Sequence, residues 1–266
     1  MSVFRACIDR DLPALKAIWL SCFDELEEAA DLFFQQNRST CHAYACEEDG
    51  RLVCALYLID GTLGGVKAHY LCGAATLPAY RDRGFMGELI AYTLKDAKER
   101  GDRFSLLYPA SESLYGYYAR FGYQPSCAIK SAVFHTDTNR KVCEGLPDLQ
   151  ELQEAYSDNE TLMWDSSFIR FAADYYGFYG AKTVQSTNVF AFFQPEGDFA
   201  EVYYAIFRDI EELKALFRLE GVKSFRLSAS ADNPLFEGEI TKPSGMILPL
   251  CGEQPRENVY IGITLQ

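Results

Sequence analysis

Two stretches of this 266-residue chain combine residue types and spacings able to do chemistry. The first is Cys72-Gly73-Ala74-Ala75-Thr76-Leu77-Pro78-Ala79-Tyr80-Arg81-Asp82-Arg83-Gly84-Phe85-Met86-Gly87. A strand-like run ends, a tight turn carries Arg81, Asp82, Arg83 and Gly84, and a helical pattern opens at Phe85. The first turn of a helix exposes unpaired N–H groups at the positive end of its dipole, a natural cradle for phosphate oxygens. Gly84 lets backbone approach a ligand closely, and Gly87 leaves the first helical turn unobstructed. Arg81 and Arg83 can add charge-assisted contacts. A pyrophosphate suits this chemistry, although arginine–glycine turns also precede helices that hold no ligand. There is no Gly-x-Gly-x-x-Gly, and no Lys-Ser/Thr follows as in a P-loop, which argues against a dinucleotide or an ATP-type site.

The second stretch is Tyr108-Pro109-Ala110-Ser111-Glu112-Ser113-Leu114-Tyr115-Gly116-Tyr117-Tyr118-Ala119-Arg120-Phe121-Gly122-Tyr123. It reads as a short tyrosine-rich helix broken at Phe121-Gly122. A tyrosine hydroxyl pointing into a cleft can give a proton to a leaving thiolate. Tyrosines at this spacing also serve as core aromatics with a polar tip.

The elements that must position these residues follow from periodicity. Val3–Cys7 reads as a short strand. Leu12, Leu15, Ile18, Trp19 and Phe23 recur at helical spacing behind Asp11, and a second helical stretch spans about Glu25–Gln36. Ala43–Cys46 and Leu52–Ile59 flank the hairpin signal Asp49-Gly50. Val66–Thr76 is strand-like. A helix is expected over Phe85–Arg100, then a strand at Phe104–Tyr108, a helix at Glu112–Arg120 and a strand at Ile129–His135, which completes a first domain of residues 1–137. In residues 138–266, Leu149–Tyr156, Ser166–Tyr176 and Ile210–Leu219 read as helices. Thr183–Gln194, Ala200–Phe207, Ser224–Ser228 and 258–265 read as strands. The helix–glycine–strand passage Leu219-Glu220-Gly221-Val222-Lys223-Ser224-Phe225 echoes Glu99-Arg100-Gly101-Asp102-Arg103-Phe104, which points to a divergent internal duplication.

Composition narrows the partners. The chain is 48% hydrophobic and 14% aromatic, enough for packed cores and too much for general disorder. Net charge is −13, divided as −3 over residues 1–140 and −10 over 141–266. Nucleic-acid binding is therefore not expected. The acidic half could attract a cationic substrate, or simply serve solubility. No apolar run is long enough to span a membrane, and the N-terminus has charges where a signal peptide needs apolar residues, so a soluble cytoplasmic protein is expected. The nine cysteines lack framework spacing and read as reduced thiols. Cys41-His42 with Cys46 lacks a second ligand pair, and no metal is expected.

Taken in this order, the two stretches resemble the GNAT family of acetyl-CoA-dependent N-acetyltransferases. The family's Arg/Gln-x-x-Gly-x-Gly/Ala turn maps onto Arg81-Asp82-Arg83-Gly84-Phe85-Met86, with Met at the last position and glycine one place later. Within the family, Leu77–Met86, Pro-Ala-Ser-Glu at 109–112 and Tyr-x-Arg-Phe-Gly at 118–122 are most similar to the tandem, Eis-type acetyltransferases. The motifs cover about residues 66–125, and 141–266 resembles the second, degenerate domain of that branch in outline only. The fold implied is α+β: two tandem GNAT-like domains, 1–137 with the acetyl-CoA site and 138–266 without one, built on mixed, mostly antiparallel sheets.

The resemblance also implies roles. The strand edge at Ala74, Ala75 and Thr76 pairs with the pantetheine amides. Backbone N–H groups from Arg81 through Asp82, Arg83, Gly84, Phe85, Met86 and Gly87 hold the pyrophosphate, and Ser111 and Glu112 lie near the thioester arm. Tyr118, directly before Ala119-Arg120-Phe121-Gly122, takes the catalytic tyrosine position, with Tyr115 the rival if the register differs. The acceptor is a small-molecule or peptidic amine, and the oligomeric state is open. Eis-type proteins draw a base from the C-terminus of a third, sterol-carrier-like domain that this chain is too short to hold. That leaves water or an unnamed acidic residue, with His69 on the strand as a minor candidate beside a plain hydrogen-bonded role. In the second half, Arg208-Asp209-Ile210-Glu211-Glu212 stands where the turn would be, and its acids repel a pyrophosphate. That half is expected to wall the acceptor pocket. A non-catalytic acyl-CoA-binding or regulatory protein on the same scaffold is the alternative.

Overall fold

Alternating apolar residues on either side of Asp49-Gly50 form the first long hairpin, β2 (Cys41–Glu48) and β3 (Arg51–Leu63), with Cys46 opposite Cys54 and Ala43 opposite Tyr57. The structure is a computed structural model and describes residues 2–37, 39–231, 233–236, 245–254 and 256–265. The hairpin is flanked by β1 (Val3–Ala6), antiparallel to β2, and by β4 (Val66–Thr76), antiparallel to β3. Helices α1 (Leu12–Cys22) and α2 (Glu27–Gln36) precede the hairpin. After β4 come α3 (Phe85–Glu99), β5 (Phe104–Leu107), α4 (Glu112–Ala119) and the short β6 (Gln124–Cys127).

The remainder supplies β7 (Ile129–His135), α5 (Leu149–Tyr156), β8 (Leu162–Trp164), α6 (Ser166–Gly177), β9 (Lys182–Ser186), β10 (Val189–Glu196), β11 (Phe199–Phe207), α7 (Ile210–Leu219), β12 (Ser224–Ser230) and β13 (Gly245–Pro249). Two compact units result: Met1–Pro125 with Gly245–Pro255, and Ser126–Ser244 with Arg256–Leu265. The first sheet runs β1-β2-β3-β4-β5-β13-β6 and the second β7-β12-β11-β10-β9. Among the pairings described, each sheet sets a parallel pair, β4–β5 or β11–β12, among antiparallel neighbours, so the α+β class with mixed, mostly antiparallel sheets is what the chain adopts.

In the first unit the apolar stripe of α3 (Leu89, Ile90, Leu94, Ala97) packs with Leu56, Leu58, Leu71 and Leu107 of the sheet. Trp19 of α1 stacks on Phe33 of α2, ring centroids 4.7 Å apart, and meets Tyr57 of β3 edge-on at 5.3 Å. In the second unit Phe217 of α7 lies between Phe193 and Phe225, at 4.6 and 4.4 Å.

Three elements differ from the periodicity reading. Ile129–His135 is a strand, but it pairs antiparallel with β12 in the second sheet. The place beside β5 belongs instead to β13, with Met246 opposite Leu107 and Pro249 opposite Phe104. Thr183–Gln194 is two strands, because the chain turns between Ser186 and Val189 and pairs back on itself. Residues 258–265 form no strand: Tyr260 makes an isolated bridge with Thr161, and backbone bonds run to Ser126 and Glu160. The run meets the start of β8 through that bridge, where the Leu162 N–H donates to the Tyr260 carbonyl at 2.8 Å, and the ladder goes no further.

Candidate active site

The site begins where β4 loses its neighbour. The parallel β4–β5 register runs from Ala68 opposite Phe104 to Leu71 opposite Leu107, and β5 ends there. From Cys72 to Thr76 the strand keeps its antiparallel partner on the β3 side, with Ala75 opposite Ala55 and Thr76 opposite Cys54. Its other edge, at Ala74, Ala75 and Thr76, has no β5 beside it. An unpaired strand edge is a row of donors and acceptors ready for an extended, amide-bearing guest.

A bulge re-aims this edge. The register shifts between Ala55 and Tyr57, and Gly73 has φ of +58°. A Cβ on Gly73 would lie 2.4 Å from Trp19 Cζ3 and 2.7 Å from Tyr57 Cδ2, so only glycine lets the two rings close against the strand. Nearby, the Cys22 thiol at the end of α1 donates to the Thr76 carbonyl oxygen at 3.4 Å, and the Trp19 indole N–H donates to the Glu25 carboxylate. Periodicity marks Trp19 as a core residue; its place behind the bulge depends on a long-range contact that spacing does not encode.

Past Thr76 the chain makes a single 3-10 turn at Pro78–Tyr80 and enters the Arg81–Gly84 turn. Both Asp82, φ +62°, and Gly84, φ +83°, sit in the left-handed region. Left-handed residues alternating with ordinary ones turn successive N–H groups toward one concavity, the geometry of an anion nest. Asp82 pays for that shape with strain, as a non-glycine residue there is unusual. Gly84 is the N-cap of α3, and no side chain caps the helix. The first-turn N–H groups of Phe85, Met86 and Gly87 therefore extend the nest. The two arginines brace it: Arg81 Nε donates to the Thr76 carbonyl at 3.1 Å, and Arg83 donates to the Ala79 carbonyl at 2.9 Å while lying over the Tyr80 ring. All four turn residues are exposed.

The tyrosine helix lies alongside. A Cβ at Gly87 would touch Phe121 at 3.5 Å and the Tyr117 hydroxyl at 4.0 Å, which places the α4 end of the motif against the start of α3. Tyr118 is the buried tyrosine of α4, 8% exposed, with its ring 5.3 Å from Tyr117 and 6.0 Å from Tyr123. Burial, with Tyr117 and the Cys72 thiol nearby, pushes its hydroxyl up to about 12. It stays protonated through the physiological range and is a donor, not a base. Tyr115 is half-buried and packs on the same core. Ser111 and Glu112 are exposed at the start of α4, where the Ser111 and Ser113 hydroxyls share a hydrogen bond at 2.9 Å.

His69 is not at this edge. It lies in the paired part of β4, fully buried, and its Nδ1 is 2.7 Å from the Asp102 carboxylate, which Arg100 and Lys67 also meet at 2.7 and 3.1 Å. His42 of the Cys41-His42-Cys46 group meets Asp60 at 3.0 Å. At the corresponding place in the second unit, the Asp209 side chain accepts from the Glu211 N–H at 2.9 Å. Glu212 is buried with bonds from Ser186, Asn188 and the Cys143 N–H. That helix start is closed by the chain's own carboxylates. Tyr175 is buried in α6, while Phe178 and Tyr179 are exposed.

The first sheet thus combines a parallel pair, a bulged edge and, next in the chain, a helix start that no side chain caps. Residues 4–126 match the family described as acetyltransferase (GNAT) domain. No curated protein matches the sequence. Solved structures share the fold over nearly the whole chain. A conserved protein from Enterococcus faecalis is 12% identical, with 94% of this chain and 72% of that one covered and a TM-score of 0.72. Eis1 from Mycobacterium abscessus is 15% identical, covering 94% and 73% with a TM-score of 0.67. A GCN5-related N-acetyltransferase from Kribbella flavida is 16% identical, covering 93% and 70%, also at 0.67. Among the described residues, no helix is long and apolar enough to cross a membrane.

Proposed function

We propose that the chain transfers an acetyl group from acetyl-CoA to a primary amine, on a small molecule or a peptide, at the β4 edge of the first unit. The observation that carries this reading is the continuity of the β4 edge past the end of β5, at Ala74–Thr76, with the Arg81–Gly87 nest, Arg81 itself holding the Thr76 carbonyl: an extended amide chain on the first leads directly to a diphosphate on the second. The thioester supplies an activated carbonyl when it is bound.

The chain's own groups do the rest. Backbone groups of Ala74, Ala75 and Thr76 take the pantetheine amides. The N–H groups from Asp82 to Gly87 neutralise the diphosphate, with Arg81 and Arg83 bracing them and adding positive potential. Ser111 and Glu112 flank the thioester arm. An edge N–H at the bulge stabilises the oxyanion as the amine attacks, and holding the two reactants together lowers the barrier further. Tyr118 gives its proton to the departing thiolate and regains one through water as the new amide nitrogen sheds its own. The acceptor arrives as the free amine, its proton lost to water. The second unit, with Asp209 and Glu212 at its helix start, takes no acyl-CoA of its own in this reading, so the catalytic role falls to the unit of Met1–Pro125 with Gly245–Pro255 in place of the 1–137 stretch expected from sequence.

The test is calorimetric titration with coenzyme A, followed by thiol release from acetyl-CoA over a panel of amines. Saturable binding with amine-dependent release supports the reading. Saturable binding with silence across the panel supports the non-catalytic alternative, and absence of binding removes both.

A further inference from the structure

Tyr118 has a buried neighbour, Tyr123, that follows directly on Arg120-Phe121-Gly122. The chain reverses at Gly122, φ +94°, where Leu248 of β13 closes on the turn, 3.1 Å from the place of a Cβ. The reversal brings Tyr123 back beside the helix the chain has just left. Its ring lies 6.0 Å from the Tyr118 ring at an interplanar angle of 70°. Tyr123 is 1% exposed, and its hydroxyl shares a 2.5 Å hydrogen bond with Oγ of the fully buried Ser105 in β5.

Ser105 is the polar residue of an otherwise apolar strand, Phe104-Ser105-Leu106-Leu107. Across the sheet it stands opposite His69 of β4 and Leu248 of β13. Two hydroxyls buried in a core are costly unless they bond each other, and apolar groups of the same shape would pack there as well. What the bond adds is direction, because a satisfied polar pair in a core fixes one arrangement. It sets where the Tyr123 ring stands relative to β5, and so where the Tyr118 ring against it can stand. On its other side Tyr118 meets Tyr117 at 5.3 Å, Tyr117 meets Phe121 at 5.4 Å, and Phe121 lies against Gly87 in the first turn of α3. The row of rings therefore runs from β5 to the nest, and the Ser105 bond pins one end of it to the sheet.

We infer that Tyr123 is a positioning residue for the acyl transfer: bonded to Ser105, it holds the Tyr118 ring so that the Tyr118 hydroxyl meets the leaving sulfur. The inference rests on the transfer reading of the β4 edge and adds to it the group that aims its proton donor.

The test is Tyr123→Phe, which keeps the ring and removes the bond. With acetyl-CoA and an accepted amine, kcat should fall about tenfold through misplacement of the donor, while coenzyme A affinity by calorimetry is unchanged. Ser105→Ala should lose the same factor, and Ser105→Thr, which retains a hydroxyl, should recover most of it. In a Tyr118→Phe background, Tyr123→Phe should cost nothing more, since a residue acting only through Tyr118 has nothing left to aim. Crystal structures of the natural chain and Tyr123→Phe, which need no turnover, should show the Tyr118 ring displaced in the variant. The inference is overturned by an unchanged kcat in Tyr123→Phe, by the same loss in the Tyr118→Phe background, by coenzyme A affinity falling in step with kcat, or by a Tyr118 ring that stays in place. A natural chain that binds coenzyme A and transfers nothing fails the transfer reading instead, and the position of the Tyr118 ring in the two crystals then decides the role of Tyr123.

Discussion

Tyr118 and His69 show how burial assigns different duties to titratable groups on one scaffold. With its hydroxyl pushed up to about 12, Tyr118 keeps its proton through the physiological range. Tyr118→Phe removes that proton and little else, so kcat should fall by about 10²-fold or more while the affinity for coenzyme A is unchanged. Steady-state thiol release alongside calorimetry separates the two quantities, and an unaltered kcat strips Tyr118 of its role. His69 works for stability. Burial lowers its pKa below the ordinary 6.5, against the pull of Asp102, so the folded chain keeps it neutral. An unfolded histidine gains its proton near 6.5. The stability it contributes is therefore complete above that pH and is lost as the pH falls toward the lowered folded value, by no more than about 1.4 kcal/mol per pH unit. Burial raises Asp102, but the His69 bond and the Arg100 and Lys67 cations outweigh it and hold it at about 2. Its share is present above about pH 4 and disappears only as the pH approaches 2. Urea unfolding at pH 7 and pH 5.5 should show a loss for the natural chain and a flatter profile for His69→Gln; equal slopes would mean His69 is protonated in the fold.

At the scale of elements, two backbone positions set the site. Gly84 caps α3 at a φ of +83°, where a side chain is strained by roughly 1–2 kcal/mol even though open space surrounds it. Gly84→Ala should lower the melting temperature by a few degrees and weaken coenzyme A about tenfold as the nest flattens; calorimetry on the variant checks the second. At Gly73 the problem is contact as well as φ. A Cβ 2.4 Å from Trp19 forces the indole away from the strand, so Gly73→Ala should cost about 1–3 kcal/mol of stability and disorder the β4 edge. Equal melting temperatures for Gly73→Ala and the natural chain would show that the rings do not need this close approach. The turn from Arg81 to Gly87 and the tyrosine helix were readable in sequence because their chemistry is local: a strand end, a glycine and a helix start are neighbours in the chain. The bulge was not, since Gly73 has meaning only against Trp19, more than fifty residues away. The same reason hides β13. Met246-Ile247-Leu248 is a short apolar run like many others, and only β5 makes it a strand.

Both units contain the same connection, and each sheet takes one strand from the far part of the chain. Each unit has a strand, a helix and a parallel strand, β4-α3-β5 and β11-α7-β12, and each helix ends in the same bonds. The Gly101 N–H reaches Lys98 and the Asp102 N–H reaches Ala97; the Gly221 N–H reaches Arg218 and the Val222 N–H reaches Phe217. The echo seen in the sequence is thus a shared helix-stop geometry, one that many helices ending in glycine adopt. The antiparallel strand next to each parallel pair comes from the other end of the chain's path: β7 leaves the first half to pair with β12, and β13 returns from the second to pair with β5. Arg103 strengthens that return, its carbonyl accepting from the Leu250 N–H at 2.7 Å and its guanidinium meeting Glu253. A fragment of residues 1–137 therefore carries the catalytic motifs but not the strand that covers β5. Phe104, Leu106 and Leu107, buried in the full chain, would border an open edge, while β7 would lack β12. Such a fragment should show no cooperative thermal transition by circular dichroism and no coenzyme A binding, because Leu71 opposite Leu107 is the last rung before the free edge. Supplying residues 245–255 through a linker after residue 125 should restore both. A 1–137 fragment that melts cooperatively would show that the returning strand is dispensable to the unit holding the site.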